Sequence, residues 1–276
     1  MAHPAIASDE IAIITGAGLG IGRALAKRLS AEGMRVVLLD IDAEHLHDVR
    51  AEIAAETGGE TDAMLCDVAE VEALEMVLDR VRETWGKAPS VVVNNAVSRT
   101  GRGFWAPLEE WRRALDINLM GVVNGVRAFL PAMIDRGGPG MIVNVGSKQG
   151  ITNPPGHPIS NMAKAAVRSF TEQLAHELRE TDGCQVTAHL LVPGWTATGL
   201  EPTTKPGAWR PEQVVDALLE AVGRGEFYII CPDNEVTEAQ DKSRITWGAG
   251  DITENRPALS RWHPDWSEVF AKQERR

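Results

Sequence analysis

The run Ile11-Ala12-Ile13-Ile14-Thr15 leads directly into Gly16-Ala17-Gly18-Leu19-Gly20-Ile21-Gly22, and a helical pattern follows from Arg23 to Glu32. A short apolar run without polar alternation marks a strand buried on both faces, so the segment predicts strand, tight turn and helix in that order. The glycines have separate physical reasons. The first permits the tight turn, the middle ones let backbone N–H groups approach a pyrophosphate, and the last lets helix meet strand. The helix N-terminus adds partial positive charge for an anion. A glycine-rich turn alone is weak evidence; the strand before it and the helix after it make it specific.

The same alternation recurs along the chain. Strand-like runs are Ile11–Thr15, Arg35–Asp40, Ala63–Cys66, Val91–Asn94, Met141–Val145, Val186–Val192 and Phe227–Cys231. Helical patterns cover Arg23–Glu32, Ala43–Glu56, Val71–Thr84, Leu108–Arg136, Ala163–Arg179 and Pro211–Val222. This predicts an α/β fold: a Rossmann-like, doubly wound, mainly parallel seven-stranded sheet with helices on both faces. No repeat or long linker divides residues 1–276, so one domain is expected, with its core at about 9–231. From Pro232 the pattern breaks. Asn234–Trp247 reads as a short helix, and Gly248–Pro264 is rich in turn formers. Trp247, Trp262 and Trp266 give residues 232–276 apolar surface to bury, so this extension is expected to dock, over the site or on a second subunit.

The net charge of −11 argues against binding a phosphate backbone, so no nucleic acid partner is expected. Cys66, Cys184 and Cys231 are scattered and sit in or beside apolar runs, which reads as reduced thiols rather than metal ligands. No stretch is read as the roughly 18 apolar residues of a membrane span, and Met1–Asp9 lacks the signature of an export signal, so a cytoplasmic protein is expected.

Asp40 closes the second strand-like run, 18 residues after Gly22. A carboxylate there accepts hydrogen bonds from ribose hydroxyls and repels a 2′-phosphate, which selects NAD over NADP. Arg23 is read as directed to solvent or to a neighbouring acid, not to such a phosphate. Asp67 stands where an adenine ring would lie; capping the next helix is an equal reading, and the two are compatible.

Further motifs follow in order. Asn94-Asn95-Ala96 ends the fourth run, Asn118 lies in the next helix, Ser147 follows the fifth run, and Pro193-Gly194 with Thr198 follows the sixth. Taken together, residues 9–231 resemble the short-chain dehydrogenase/reductase family. The resemblance implies hydride transfer between a nicotinamide cofactor and an alcohol or carbonyl, in a homodimer or homotetramer. It implies a cofactor site made by Gly16, Leu19, Gly20, Ile21, Asp40, Ile41, Asp67, Val68, Asn95, Ala96, Lys164, Pro193, Gly194, Thr196 and Thr198. It implies catalytic positions at Asn118, Ser147, Ser160 and Lys164. Ser147 would polarise the substrate oxygen, Lys164 would hold the nicotinamide ribose, and Asn118 would anchor a water link from Lys164 to solvent. Gly146–Gly150 and Cys231–Val236 resemble a narrower bacterial subgroup of the family.

One position departs from that pattern. The family carries a tyrosine four residues before its lysine, and here the residue four before Lys164, thirteen after Ser147, is Ser160. The only tyrosine, Tyr228, sits in the last strand-like run. A phenol can be brought toward neutrality by an adjacent ammonium; an aliphatic hydroxyl is far less acidic. Three readings stay open: a substitution introduced to trap a complex, a natural site using water, His157 or the substrate as acid/base, and a regulatory protein that binds NAD without turnover. The loops 97–105, 151–159 and 195–209 should shape the substrate pocket. Phe104, Trp105, Trp195 and Trp209 in them suggest an apolar or aromatic alcohol or carbonyl. Val97, after Asn94-Asn95-Ala96, should narrow the nicotinamide pocket.

Overall fold

The computed structural model describes residues 2–99, 103–200 and 205–274. Strands β1 (Ile11–Thr15), β2 (Arg35–Asp40), β3 (Thr61–Leu65), β4 (Val91–Asn94), β5 (Gly140–Val145), β6 (Val186–Val192) and β7 (Tyr228–Ile230) form one sheet in the order β3-β2-β1-β4-β5-β6-β7. Every strand pairing in it is parallel. The helices are α1 (Gly20–Ala31), α2 (Ala43–Glu56), α3 (Val71–Trp85), α4 (Leu108–Leu115), α5 (Gly121–Asp135), α6 (Gln149–Thr152), α7 (Pro158–Glu180), α8 (Pro211–Gly223), α9 (Glu238–Thr253) and α10 (Ser267–Glu274).

The doubly wound expectation is met, and its cause is visible in the strands. Ala12 and Ile14 of β1 join one buried cluster with Leu25, Leu29 and Leu218, while Ile11 and Ile13 join a second with Leu74, Phe129 and Met133. Alternate side chains thus enter separate apolar layers, which is why the strands lack polar alternation. The chain winds outward from β1 to β3, crosses to β4 and winds outward again. The carboxyl ends of β1 and β4 therefore border the crevice at the topological switch point.

Three expectations are corrected. The pattern over Leu108–Arg136 is not one α-helix: a π-helical turn, Asp116–Met120, separates α4 from α5. The stretch Leu108–Asp135 is also long and apolar enough to cross a membrane by composition, contrary to the reading above, but it is mostly buried within the fold. The helix expected at Asn234–Trp247 runs from Glu238 to Thr253 instead. Thr237 and Gln240 form a reciprocal capping box that fixes its start, and Gly248 and Gly250 continue it, the side chain of Arg256 filling the space a Cβ on Gly250 would take.

Past β7 the chain packs aromatic rings upon one another. Trp247 is buried, its ring centroid 5.2 Å from that of Phe270 and 6.2 Å from that of Trp266, and its indole N–H donates to Ser260 Oγ at 2.7 Å. Cys66 and Cys231 are buried free thiols, and Cys184 is free and half-buried.

Candidate functional site

The glycine-rich turn is held from β4. The Asn95 amide donates to the carbonyls of Thr15 (2.9 Å) and Gly16 (3.0 Å), and the Thr15 hydroxyl oxygen accepts the backbone N–H groups of Asn95 (2.9 Å) and Ala96 (3.0 Å). A Cβ on Gly16 would stand 2.8 Å from the Ala96 Cα, and one on Gly22 would stand 2.0 Å from the Gly16 carbonyl oxygen. The turn is closed so tightly that only glycine fits at either position. Leu19 precedes α1 in extended conformation, no side chain caps the helix, and no acidic residue lies in its first turn. Such a terminus suits an anion. The loop after β6 comes down on it: a Cβ on Gly20 would meet Thr198 Cβ at 2.7 Å. Ile21 is buried in the first apolar layer.

At the tip of β2, Asp40 Oδ2 accepts the Gly18 N–H at 2.9 Å, and Oδ1 accepts the N–H groups of Ile41 (2.8 Å) and Asp42 (3.2 Å). The carboxylate thus sits beside the middle glycine, and Ile41 presents an exposed apolar side chain next to it. Arg23 reaches away, forking onto the two oxygens of Glu52. Beyond β3, Asp67 is engaged twice: Oδ1 accepts the Ala69 N–H at 3.0 Å and Oδ2 accepts from Arg113 at 2.9 Å. The backbone bond and the guanidinium hold its carboxyl below the usual range against a desolvation that pushes it up. Val68 is buried against Gly121, where a Cβ would meet its Cγ2 at 2.6 Å.

The second group gathers at the end of β5. The Lys164 ammonium donates to the Val145 carbonyl at 2.7 Å, and burial pulls its pKa down to about 8. Gln149 connects the two serines: its N–H donates to Ser147 Oγ (3.2 Å), and its side-chain oxygen accepts the Ser160 hydroxyl (2.6 Å). A Cβ on Gly150 would stand 2.4 Å from the Lys164 carbonyl carbon, so α6 lies directly on the backbone of α7 at the lysine. Asn118 lies in the π turn, and its side-chain oxygen accepts the Ser98 N–H at 2.7 Å while its amide donates back to the Ser98 carbonyl at 3.3 Å. π insertions of this kind are frequent at functional sites. His157 precedes α7 without capping it by its side chain. Tyr228 is elsewhere, its hydroxyl donating to Glu172 at 2.8 Å.

Of the pocket loops, residues 100–102 and 201–204 lie outside the described residues. Phe104 and Trp105 are exposed, Trp195 is half-exposed with the Lys205 ammonium 3.6 Å from its ring centroid, and Trp209 packs on the first apolar layer. Pro193 is buried, and Thr196 pairs with Trp209 in an isolated bridge.

Sequence reasoning missed Gln149, Gly150 and a buried amide chain. Asn94 donates to Asn144 (2.8 Å), its register partner across β4 and β5, and Asn144 donates to Thr171 (3.0 Å) on α7. An asparagine in each of two otherwise apolar runs, Asn94 and Asn144, was the available signal.

Fold and site together define a doubly wound α/β protein whose glycine-rich turn opens on the crevice at the β1/β4 switch point. Residues 10–208 match the family model described as short chain dehydrogenase, and the chain belongs to that family. Among curated relatives, a probable oxidoreductase, EphD, of Mycobacterium tuberculosis is 35% identical over 238 residues, covering 78% of this chain but 39% of the relative. A putative oxidoreductase, SadH, of the same organism is 38% identical over 169 residues, covering 61% of this chain and 60% of the relative. The chain thus spans about two fifths to three fifths of these relatives. Among solved structures, a short chain dehydrogenase/reductase from Burkholderia phymatum in complex with NAD superimposes with a TM-score of 0.81 at 29% identity, covering 90% of this chain and 96% of that one. A metagenomic short-chain oxidoreductase in complex with NADP gives 0.67 at 28%, covering 82% and 98%.

Proposed function

We propose that this protein is an NAD-dependent alcohol dehydrogenase or carbonyl reductase whose acid/base position is occupied by Ser160. The carrying observation is the pair of bonds made by Gln149, which ties Ser147 and Ser160 together beside buried Lys164. The glycine cradle and uncapped α1 fit a pyrophosphate, and the Asp40 carboxylate fits the adenosine ribose. Arg23, spent on Glu52, offers no cation to a 2′-phosphate there, which supports NAD over NADP. Ile41, Asp67 and Val68 would border the adenine, with Asn95, Ala96, Pro193, Gly194, Thr196 and Thr198 toward the nicotinamide end.

When bound, NAD(H) supplies the hydride acceptor or donor. Ser147 would donate a hydrogen bond to the substrate oxygen, where negative charge grows on reduction of a carbonyl. Lys164 would hold a ribose hydroxyl and keep the potential positive. The Ser160 hydroxyl donates its hydrogen bond to Gln149, so its oxygen is left to accept one from an alcohol or from a water, and the proton lost or gained with the hydride would pass to or from such a water. The substrate is an apolar or aromatic alcohol or carbonyl bounded by Trp195, and the protein works in the cytoplasm as a homodimer or homotetramer, residues 232–276 forming an extension of one domain.

A regulatory NAD-binding role without turnover is the second reading, favoured by the weak acidity of an aliphatic hydroxyl at position 160. Fluorescence titration with NADH and NADPH, followed by turnover assays on secondary alcohols and ketones, separates the two. Tighter NADH binding with hydride transfer supports the first; NADH binding with no transfer, in the parent and in Ser160→Tyr, supports the second. Failure to bind either nucleotide sinks both.

A further inference from the structure

Lys148, the residue after Ser147, lies between two carboxylates supplied from beyond β7. Its ammonium is 2.6 Å from Asp241 Oδ2 and 3.5 Å from Asp233 Oδ2. The Asp233 and Asp241 side chains are only 2% and 5% exposed, so this charge cluster is taken out of water. Asp233 also reaches the loop after β6. Its Oδ2 accepts the Trp195 N–H at 3.3 Å, and its Oδ1 accepts the N–H groups of Glu235 (3.1 Å) and Val236 (2.9 Å). A Cβ on Gly194 would stand 2.5 Å from Asp233 Oδ2, so glycine is needed for the carboxylate to come this close. The Asn234 N–H donates to the Gly207 carbonyl at 3.1 Å, which adds a second tie to the same loop.

The two loops joined in this way are the ones that flank the site. One carries Ser147 and Gln149; the other carries Gly194, Thr196 and Thr198, of which Thr198 rests on Gly20. We propose that Lys148, Asp233 and Asp241 are positioning residues: a clamp, supplied by the segment after β7, that fixes the Ser147 loop against the Gly194–Thr198 loop and so shapes the nicotinamide end of the site. The inference rests on the cofactor reading above for which end of the ligand is affected, but the clamp itself is a statement about two loops. Buried ion pairs lose most when one partner is removed, because the other charge is left unpaired. Loosening should therefore be concentrated where the clamp attaches.

The test uses the full chain with Lys148→Met, Asp233→Asn and Asp241→Asn, the asparagine variants keeping side-chain shape where the lysine variant fails to fold. Amide hydrogen exchange is followed by mass spectrometry, alongside titration with NADH and with AMP, which lacks the nicotinamide end. The expected result is exchange about tenfold faster in residues 146–152 and 193–200, with β1 and β2 unchanged, as for a coupling of ordinary size. NADH should bind about tenfold more weakly while AMP binding stays within about twofold. Unchanged exchange in both loops overturns the clamp, and so does faster exchange spread evenly over the sheet or equal weakening of AMP and NADH. If the parent binds neither nucleotide, the cofactor reading fails, and the exchange measurement still decides whether the clamp exists.

Discussion

The Ser160 hydroxyl donates to the Gln149 side-chain oxygen at 2.6 Å, so the residue four before the buried lysine faces the short helix that begins two residues after Ser147. This bond commits the only proton Ser160 has. A phenol placed here would lie near the Lys164 ammonium, which favours its ionised form. Ser160→Tyr should therefore raise kcat for a secondary alcohol or ketone by about 10²-fold or more, the usual contribution of a placed acid/base. Steady-state assays over a substrate panel check this. No gain with any substrate would argue that the site has lost more than its proton-transfer group.

Cofactor choice rests on a different pair of charges. Asp40 stands beside Gly18, and Arg23 is held off by Glu52. Asp40→Ala should weaken NADH binding about tenfold, as expected for loss of a charge-assisted contact to ribose hydroxyls. It should weaken NADPH binding far less. Adding Glu52→Gln, which loosens Arg23, should move the ratio further toward NADPH. Equal affinity of the parent for NADH and NADPH would contradict the role given to Asp40.

Most of this site was legible because its parts are local. Gly16 takes a positive φ in the turn and Gly22 packs on the Gly16 carbonyl, both within one strand–turn–helix unit, and Asp40 ends a strand whose apolar run marks it. Burial on both faces likewise made the sheet readable, since period-two contacts to two layers leave no polar alternation to confuse it. What was not legible depends on distant chain. Lys148 is held by Asp233 and Asp241, which lie more than 80 residues away in the chain, so nothing near it in the sequence marks its role. The π turn at Asn118 was hidden because one extra residue per turn leaves the apolar content of a helix intact. The capping box at Thr237 and Gln240 was a local signal for the start at Glu238, while the turn-forming look of Gly248 and Gly250 set the expected end too early.

Lys164 makes stability depend on pH in a defined direction. Burial pulls its pKa from 10.5 to about 8. Between those values the unfolded chain holds the proton more tightly, so folding becomes more favourable as pH rises through this window, and below it the buried charge costs about 3 kcal/mol. Cys66 and Cys231 act oppositely, since burial pushes their thiols up to about 11 and about 12 and their contribution is lost above the ordinary 9.0. Comparison with Lys164→Met cancels the thiols. The unfolding free energy of the parent minus that of the variant should rise by about 3 kcal/mol from pH 7 to pH 10.5, read from urea denaturation. A flat difference would mean the ammonium is better solvated than its burial implies.

Acid should act at the other end of the chain, through a pair of histidines meeting at Thr187. The Ala5 N–H donates to His3 Nδ1 at 3.2 Å, so the His3 proton lies on Nε2, 3.1 Å from Thr187 Oγ1. His189 Nδ1 is 2.7 Å from the Glu226 carbonyl and must donate to it, which leaves Nε2, 2.9 Å from Thr187 Oγ1, as an acceptor. The single Thr187 proton has two acceptors in reach, His189 Nε2 and the Gly140 carbonyl at 3.2 Å, and the Ala5 N–H on Nδ1 requires the His3 ring to be neutral. Burial and the neighbouring His189 lower His3 to about 4, and burial lowers His189 as well. Because both folded pKa values lie below the ordinary 6.5, their contribution is complete above 6.5 and is lost as pH falls, for His3 toward about 4. His3→Gln keeps a donor toward Thr187 without titrating, so it should lower stability modestly at pH 7 and flatten the decline of the urea midpoint below pH 6.5. An identical slope in parent and variant would show that His3 takes up its proton without leaving Thr187.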